Sequence, residues 1–391
     1  MVGSMLDRIT EGKCLFILGD EGIVYDHGRQ EIYALNTAAT YLWCLIEDGR
    51  DEAGAVADYA ARFGLADPTA RSHVVALADE FSRIGGAEGP DRDAQPDASV
   101  AAPDAPPLTE VPTPVERSFR VLETSFLFRC ATRAQAERIE PVLARFAEDA
   151  GREPDVIVDL RQIDGALILY RSGQPVGIYD GLDALAPAVK TCLWTTAINN
   201  FDYFLNLHSG VVGHRDGCLL LPGASGNGKS SLTAALVGSG FPYLSDEVAL
   251  LGDDCQVRSI PLSLCVKNTG WDIIARYFAE IEELPEHRRE DGKVVKYLTF
   301  PFETCADPAK SYAVHTIVFP CYVPGSPNEL VPVSKADALA RLFQECQSIP
   351  AALTRTRVAA LVAWIGGVDC FSLDFSDLDA AVAAVRTGLE K

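Results

Sequence analysis

The sequence predicts a two-part α/β chain in which a small α+β domain, a Pro-rich linker and a larger domain of alternating strands and helices follow one another. Three observations predict it. Between 87 and 115 the composition shifts to Pro, Ala and Asp, with prolines at 90, 96, 103, 106, 107, 112 and 114, and such a stretch cannot bury enough apolar surface to offset its ordering entropy. Ahead of it lie short apolar runs and then helix-periodic segments. Beyond it, one apolar strand leads through a Gly-rich loop straight into a helix. At 391 residues the chain exceeds one ordinary core, and domains of roughly 100–200 residues imply two or three units. The expected boundaries are 1–88, a linker over 89–115, and 116–391, the last divided into an introductory α/β part (116–206) and a core (207–391).

In the first part, Ile23–Tyr25 and Glu31–Leu35 flank the turn Asp26-His27-Gly28, a hairpin signal. Asn36 or Thr37 caps a helix through Trp43, Cys44, Leu45 and Ile46. A second helix is expected over Ala53–Phe63 and a third over Thr69–Ile84, opened by Asp67-Pro68 and closed by Gly85-Gly86. In the second part, strands are expected at Phe119–Phe128, Asp155–Val158, Ala166–Tyr170 and Val176–Tyr179, with helices at Ala134–Ala150 and Leu182–Leu205. Val358–Val368 reads as a buried element interrupted by Gly366 and Gly367.

Lys and Arg number 34 against 55 Asp and Glu, a formal charge of −21, which opposes sequence-independent binding to nucleic acid or to anionic lipid. The eleven cysteines contain no Cys-x-x-Cys pair, so they read as reduced, mostly buried thiols and not as a metal knuckle. The opening MVGSMLDRITEGK lacks a secretory pattern and no segment reaches a bilayer-spanning length. A cytoplasmic protein is expected.

The strand Cys218–Pro222 precedes Gly223-Ala224-Ser225-Gly226-Asn227-Gly228-Lys229-Ser230, and Ser231–Val237 is helix-forming. This is G-x-x-x-x-G-K-S in the context that a phosphate-binding loop requires. Its glycines let backbone amides point at phosphates, and the helix adds its positive N-terminal end. Lys229 supplies charge to the β/γ-phosphates of ATP, and the Ser230 hydroxyl is suited to Mg²⁺. Asp246 follows Ser230 by sixteen residues, within Ser245-Asp246-Glu247. Adjacent acids on extended chain project to opposite sides, so one can serve a metal and the other an acceptor hydroxyl. His208 precedes the loop by one expected hairpin.

The array of His208, Gly223–Ser230 and Ser245-Asp246-Glu247 resembles the catalytic domain of HPr kinase/phosphorylase, whose loop has the form G-x-S-G-x-G-K-S followed by an Asp-Asp pair and whose fold is related to phosphoenolpyruvate carboxykinase. The resemblance covers Phe119 to Leu389. It implies that Lys229 binds phosphate within a nucleotide site formed by Gly223 to Ser231. It further implies that Ser230 and Glu247 bind metal and that Asp246, assisted by His208, takes the proton from an acceptor serine. Glu247 stands where the family has a second Asp. No counterpart of the segment tied to the reverse, phosphorylase reaction is evident, so only the kinase direction is implied. Ser259–Lys267 is similar to a strand of HPr-kinase-like enzymes of peptide gene clusters that sets its lysine, here Lys267, near the nucleotide. The patch from His287 to Tyr297, with Arg288, Arg289, Lys293 and Lys296, reads either as a mobile loop closing on phosphate or acidic peptide, or as a solvated loop balanced by Glu286, Glu290 and Asp291.

Residues 14–86 resemble PqqD-like domains, small winged-helix modules that recognise the leaders of ribosomally made, modified peptides. The residues carrying this are Tyr33-Ala34-Leu35-Asn36-Thr37-Ala38-Ala39, Leu42-Trp43, Leu45-Ile46 and Asp48-Gly49. In that family the leader adds a strand to a sheet edge and packs on the third helix. The edge would come from Gly22–Leu35, and the groove from Ile32, Val74, Leu77 and Phe81, each of which is equally a candidate for the core. Joined, the two resemblances imply an ATP- and Mg²⁺-dependent kinase acting on a Ser or Thr of a captured precursor peptide. A small-metabolite kinase, a nucleotide-gated regulatory protein without turnover, and an N-terminal module serving only homo-oligomerisation are the competing readings. Carboxykinase-like chemistry lacks its further oxyacid and metal ligands.

Overall fold

The computed structural model describes residues 10–84, 105–108, 115–149 and 151–390; most of the expected linker and the expected Gly85-Gly86 helix stop lie outside them. The described residues fall into two compact units, one drawn from the segments 1–93 and 332–371, the other from 94–331 and 372–391. All eleven cysteines are free. No described helix is long and apolar enough to cross a membrane.

The first unit is built on three antiparallel strands, β1 (Lys13–Leu18), β2 (Glu21–Asp26) and β3 (Glu31–Leu35), in the order β1-β2-β3. Helices α1 (Thr37–Glu47), α2 (Glu52–Phe63) and α3 (Asp67–Arg83) follow. Local chemistry sets their starts: Asn36 accepts from the Ala39 amide at 2.9 Å, Asp51 from the Gly54 amide at 2.8 Å, and α3 opens on a proline. Val24 and Leu35 pack with Leu42, Trp43, Val56, Tyr59, Val74 and Phe81 in one core. The Phe81 ring meets Trp43 edge-on at 5.0 Å.

The opposite face of this sheet is buried as well. Ile23, Tyr25 and Ile32 are all buried, with Tyr25 paired across to Ile32. Against this face lie two helices from the second segment: Lys335–Gln344 packs on β3 and β2, and Arg355–Gly366 on β1 and β2. The Tyr25 hydroxyl donates to the Leu353 carbonyl. This corrects the expectation that 332–371 belongs to the C-terminal core. Amphipathic periodicity shows that Ala336, Leu339, Leu342 and Phe343 seek a core, but not which one.

The second unit begins with a five-stranded sheet of β4 (Val115–Val121), β5 (Thr124–Cys130), β6 (Val156–Ile163), β7 (Ala166–Arg171) and β8 (Gln174–Tyr179), in sequence order, with only β5 and β6 parallel. The single strand expected over Phe119–Phe128 is two, because Leu122 turns the chain with a φ of +53°. Helix α4 (Arg133–Leu143) makes the parallel crossover, ending earlier than expected, and α5 (Leu185–Asn199) follows β8.

The larger sheet contains β9 (Leu205–Leu207), β10 (Ser209–His214), β11 (Gly217–Pro222), β12 (Tyr243–Ser245), β13 (Ala249–Leu251), β14 (Gln256–Arg258) and, later in the chain, the strand Ser311–Tyr322. That strand lies parallel to β11 and between β11 and β14, and β12-β10-β11 are neighbours on its other side. Helix α6 (Lys229–Gly238) leaves the end of β11 and packs on β10. A small sheet of β15 (Leu264–Lys267), β16 (His287–Arg288) and β17 (Val294–Leu298) completes the unit, with β17 central.

If Lys335–Gln344 is a structural cover for the sheet, cutting its fully buried Leu339 to Ala should cost about 2–5 kcal/mol. Hydrogen exchange is the readout: β2 amides in Leu339→Ala should exchange about 30-fold faster or more. Unchanged β2 protection would mean the helix is not part of this core.

Candidate functional site

Strand register assembles the site. Ser209 pairs with Pro222, which sets His208 beside Gly223 at the end of the β10–β11 hairpin. Val211 pairs with Ser245 across β10 and β12, which delivers Asp246 and Glu247 to the same end of three adjacent strands. Gly226 and Gly228 take φ values of +105° and +82°, a region open to glycine but strained for other residues. At Gly228 a Cβ would also stand 2.6 Å from Cζ of Phe375.

Lys229 is buried at the start of α6. Its Nζ donates to the Gly223 carbonyl at 2.6 Å and lies 3.1 Å from His208 Nε2. Burial, then the Lys229 charge, pushes the His208 pKa down to about 4, so near neutral pH the ring is uncharged and accepts from the ammonium. Ser230 Oγ donates to Asp246 Oδ2 at 2.8 Å. The other carboxylate oxygen, Asp246 Oδ1, is buried without a hydrogen-bond partner. Burial, then the neighbouring Glu247 charge, raises the Asp246 pKa to about 6.

Glu247 points the other way. Its Oε2 accepts from Lys190 Nζ of α5 at 2.7 Å. Burial alone would raise this carboxyl, but the charge and hydrogen bond of Lys190, with Arg289 and His208 behind them, hold it below its ordinary value. Asp246 is hydrogen-bonded to Ser230 and Glu247 to Lys190, whereas the sequence reading sets Glu247 beside Ser230. His208 touches Lys229, whereas the sequence reading pairs it with Asp246.

Of the five expected phosphate or peptide contacts, Lys267 donates to Ser225 Oγ of the loop at 2.7 Å, and Arg289 lies within electrostatic reach of Glu247. Arg288 and Lys293 pair at the surface with Asp183 at 3.6 Å and Asp291 at 2.8 Å. Lys296 is turned inward, donating to the Ile281 and Glu282 carbonyls at 3.0 and 2.9 Å and lying 4.5 Å from the Trp271 ring centre. It sits mid-strand in β17, the central strand of its sheet, where the residues from Val295 to Leu298 are all buried.

In the first unit, the four expected groove residues do not share a surface. Val74 and Phe81 are core, Leu77 is packed against that core, and Ile32 lies on the opposite sheet face. Among the described residues there, the exposed large apolar side chains are Ile17 of β1 and Val75 of α3.

Lys190, the partner of Glu247, is a residue that sequence reasoning misses. Its signal is a lone charge within Leu185–Asn199, an otherwise apolar or neutral helix that is buried along most of its length, since lysine is almost never fully buried unless paired.

The family described as coenzyme PQQ synthesis protein D (PqqD) matches residues 21–85, the stretch that holds β2, β3 and α1 to α3. These residues form a PqqD-like domain, of the kind that binds precursor peptides in pathways making ribosomally synthesised, modified peptides. No curated protein matches the chain.

Truncating Lys190 leaves the Glu247 charge uncompensated, so Lys190→Met should destabilise the second unit by about 3–5 kcal/mol. The double variant Lys190→Met/Glu247→Gln should recover most of that loss in urea unfolding. Strictly additive effects would show that the two residues are not energetically coupled.

Proposed function

We propose that the chain is an ATP-dependent kinase that phosphorylates a Ser or Thr hydroxyl of a ribosomally made precursor peptide held by the PqqD-like domain. The observation that carries the chemistry is the pair formed by Ser230 and Asp246 at the head of α6, beside a buried Lys229. A hydroxyl and a carboxylate with one unsatisfied buried oxygen form a hard donor set suited to Mg²⁺. Mg²⁺ bound there would neutralise charge on the β- and γ-phosphate oxygens.

The loop amides and Lys229 would cradle the phosphates. His208, uncharged, keeps the ammonium aimed across the loop without adding a competing positive charge. The acceptor hydroxyl would approach from the side of Glu247, whose Oε2 is fixed by Lys190 and whose Oε1 takes the hydroxyl's hydrogen bond. As the new O–P bond forms and the bond to the leaving ADP breaks, the hydroxyl proton passes to that carboxylate. Asp246, the base expected from the sequence, serves the metal side in this reading.

Capture by the first unit draws support from its architecture. Both faces of the three-stranded sheet are covered by helices, so the edges of β1 and β3 are the surfaces suited to strand addition. Tethering then raises the local acceptor concentration without requiring a tight active site.

Mass spectrometry of a precursor peptide incubated with the protein, ATP and Mg²⁺ tests the reading: one phosphoryl group should be added to a Ser or Thr. Lys229→Ala and Glu247→Gln should each lower transfer by about 100-fold or more, and removing the leader from the peptide should raise its KM with little change in kcat. Wild-type turnover in Lys229→Ala, or equal kinetics with and without leader, would overturn the corresponding half.

A further inference from the structure

From the exposed aromatic beside the phosphate loop, we infer that Tyr322 is the platform on which the nucleotide base stacks and that the site discriminates weakly among bases. This rests on the phosphate-loop reading above. Tyr322 ends the strand Ser311–Tyr322, which runs parallel to β11, so its residue and the loop leave the sheet at the same carboxyl end. Ligands of open α/β sheets bind outside that end. The Tyr322 amide donates to the Asn227 carbonyl at 3.1 Å, and Tyr322 Cβ lies 3.5 Å from the Cβ position of Gly228.

Tyr322 is 52% exposed, and its ring meets buried Phe375 edge-on at 5.9 Å. Phe375 in turn fills the space that a side chain at Gly228 would need. The Val323 amide donates to the Phe375 carbonyl at 2.8 Å, and Val323 is itself 38% exposed. A large aromatic fixed by a buried aromatic, yet open on its outer side, is suited to receive a flat ring.

Direction identifies that ring. Lys229 and His208 mark the γ-phosphate and acceptor side of the loop, whereas Asn227 and Gly228 lead into the helix whose first amides would serve the α- and β-phosphates. A nucleotide with its γ-phosphate at Lys229 would carry its base out past Asn227, the residue that Tyr322 touches. Two polar side chains beyond the platform in the chain are already engaged: Asn328 Oδ1 accepts from the Ser376 and Asp377 amides, its Nδ2 donates to the Ser326 carbonyl, and Ser376 Oγ donates to the same carbonyl. Recognition is then by the π-face, which every base offers.

Binding of ATP, GTP and inorganic tripolyphosphate, each with Mg²⁺, to the wild-type chain, Tyr322→Ala and Tyr322→Trp tests this. Tyr322→Ala should weaken ATP and GTP by about tenfold each, leave tripolyphosphate unchanged, and be rescued by Tyr322→Trp. ATP binding unaffected in Tyr322→Ala, an equal loss for tripolyphosphate, or strong preference of the wild type for one base would overturn the inference while leaving the loop assignment standing. A wild-type chain that binds neither ATP nor tripolyphosphate would overturn both.

Discussion

A lysine buried at the head of a helix has to find acceptors within reach, and Lys229 finds them across the loop that it follows. Its bond to the Gly223 carbonyl ties the first residue of the loop to the first residue of α6, so the loop is held closed on itself by its own charge. His208 can share that ammonium only because the β10–β11 register brings it to the same point. Gly226 and Gly228 must then absorb the curvature in left-handed backbone. In the proposed kinase the same ammonium would exchange these protein acceptors for phosphate oxygens of similar geometry, so nucleotide entry would replace bonds already made and not create a charge in a vacant interior.

The acid pair illustrates how adjacent residues acquire separate chemistry. Asp246 and Glu247 differ in sequence by one methylene, but the backbone turns them onto different partners, a hydroxyl for one and an ammonium for the other. Their pKa directions diverge accordingly: Asp246 rises because burial and its neighbour both disfavour its charge, while Glu247 falls because Lys190 outweighs burial. Two titratable groups pushed apart by their surroundings are the usual mark of divided roles.

How much of this is legible in the sequence depends on whether a feature is local. The hairpin into β3, the Asn36 cap and the strand-loop-helix around Lys229 are fixed by residues within a few positions of one another, and the structure has each. The carboxylate partners are not local. Lys190 lies 57 residues before Glu247, and nothing in the spacing of Asp246 and Glu247 tells which acid turns toward Ser230. The inward turn of Lys296 is hidden for the same reason, because a charge run in sequence does not reveal that β17 is the central strand of its sheet. The break at Leu122 is equally hard to read, because leucine is a poor advertisement for a positive φ.

In the segment 332–371 the non-local partner is a whole pair of helices. A PqqD-like sheet with helices on one face only would leave Ile23 and Tyr25 exposed, an apolar patch that an isolated domain would have to hide. Here Lys335–Gln344 and Arg355–Gly366 cover it, and they come from the far side of the chain in sequence. The first unit is therefore closed only after most of the second unit has been synthesised, since residues 94–331 separate its two segments. Its sheet edges, where the proposed function has a peptide strand add, reach their finished surroundings last. A polypeptide arranged this way couples completion of the PqqD-like unit to synthesis of the Gly223–Ser230 loop, so that a chain with a finished first unit is also one in which Lys229, Ser230 and Asp246 have already been made.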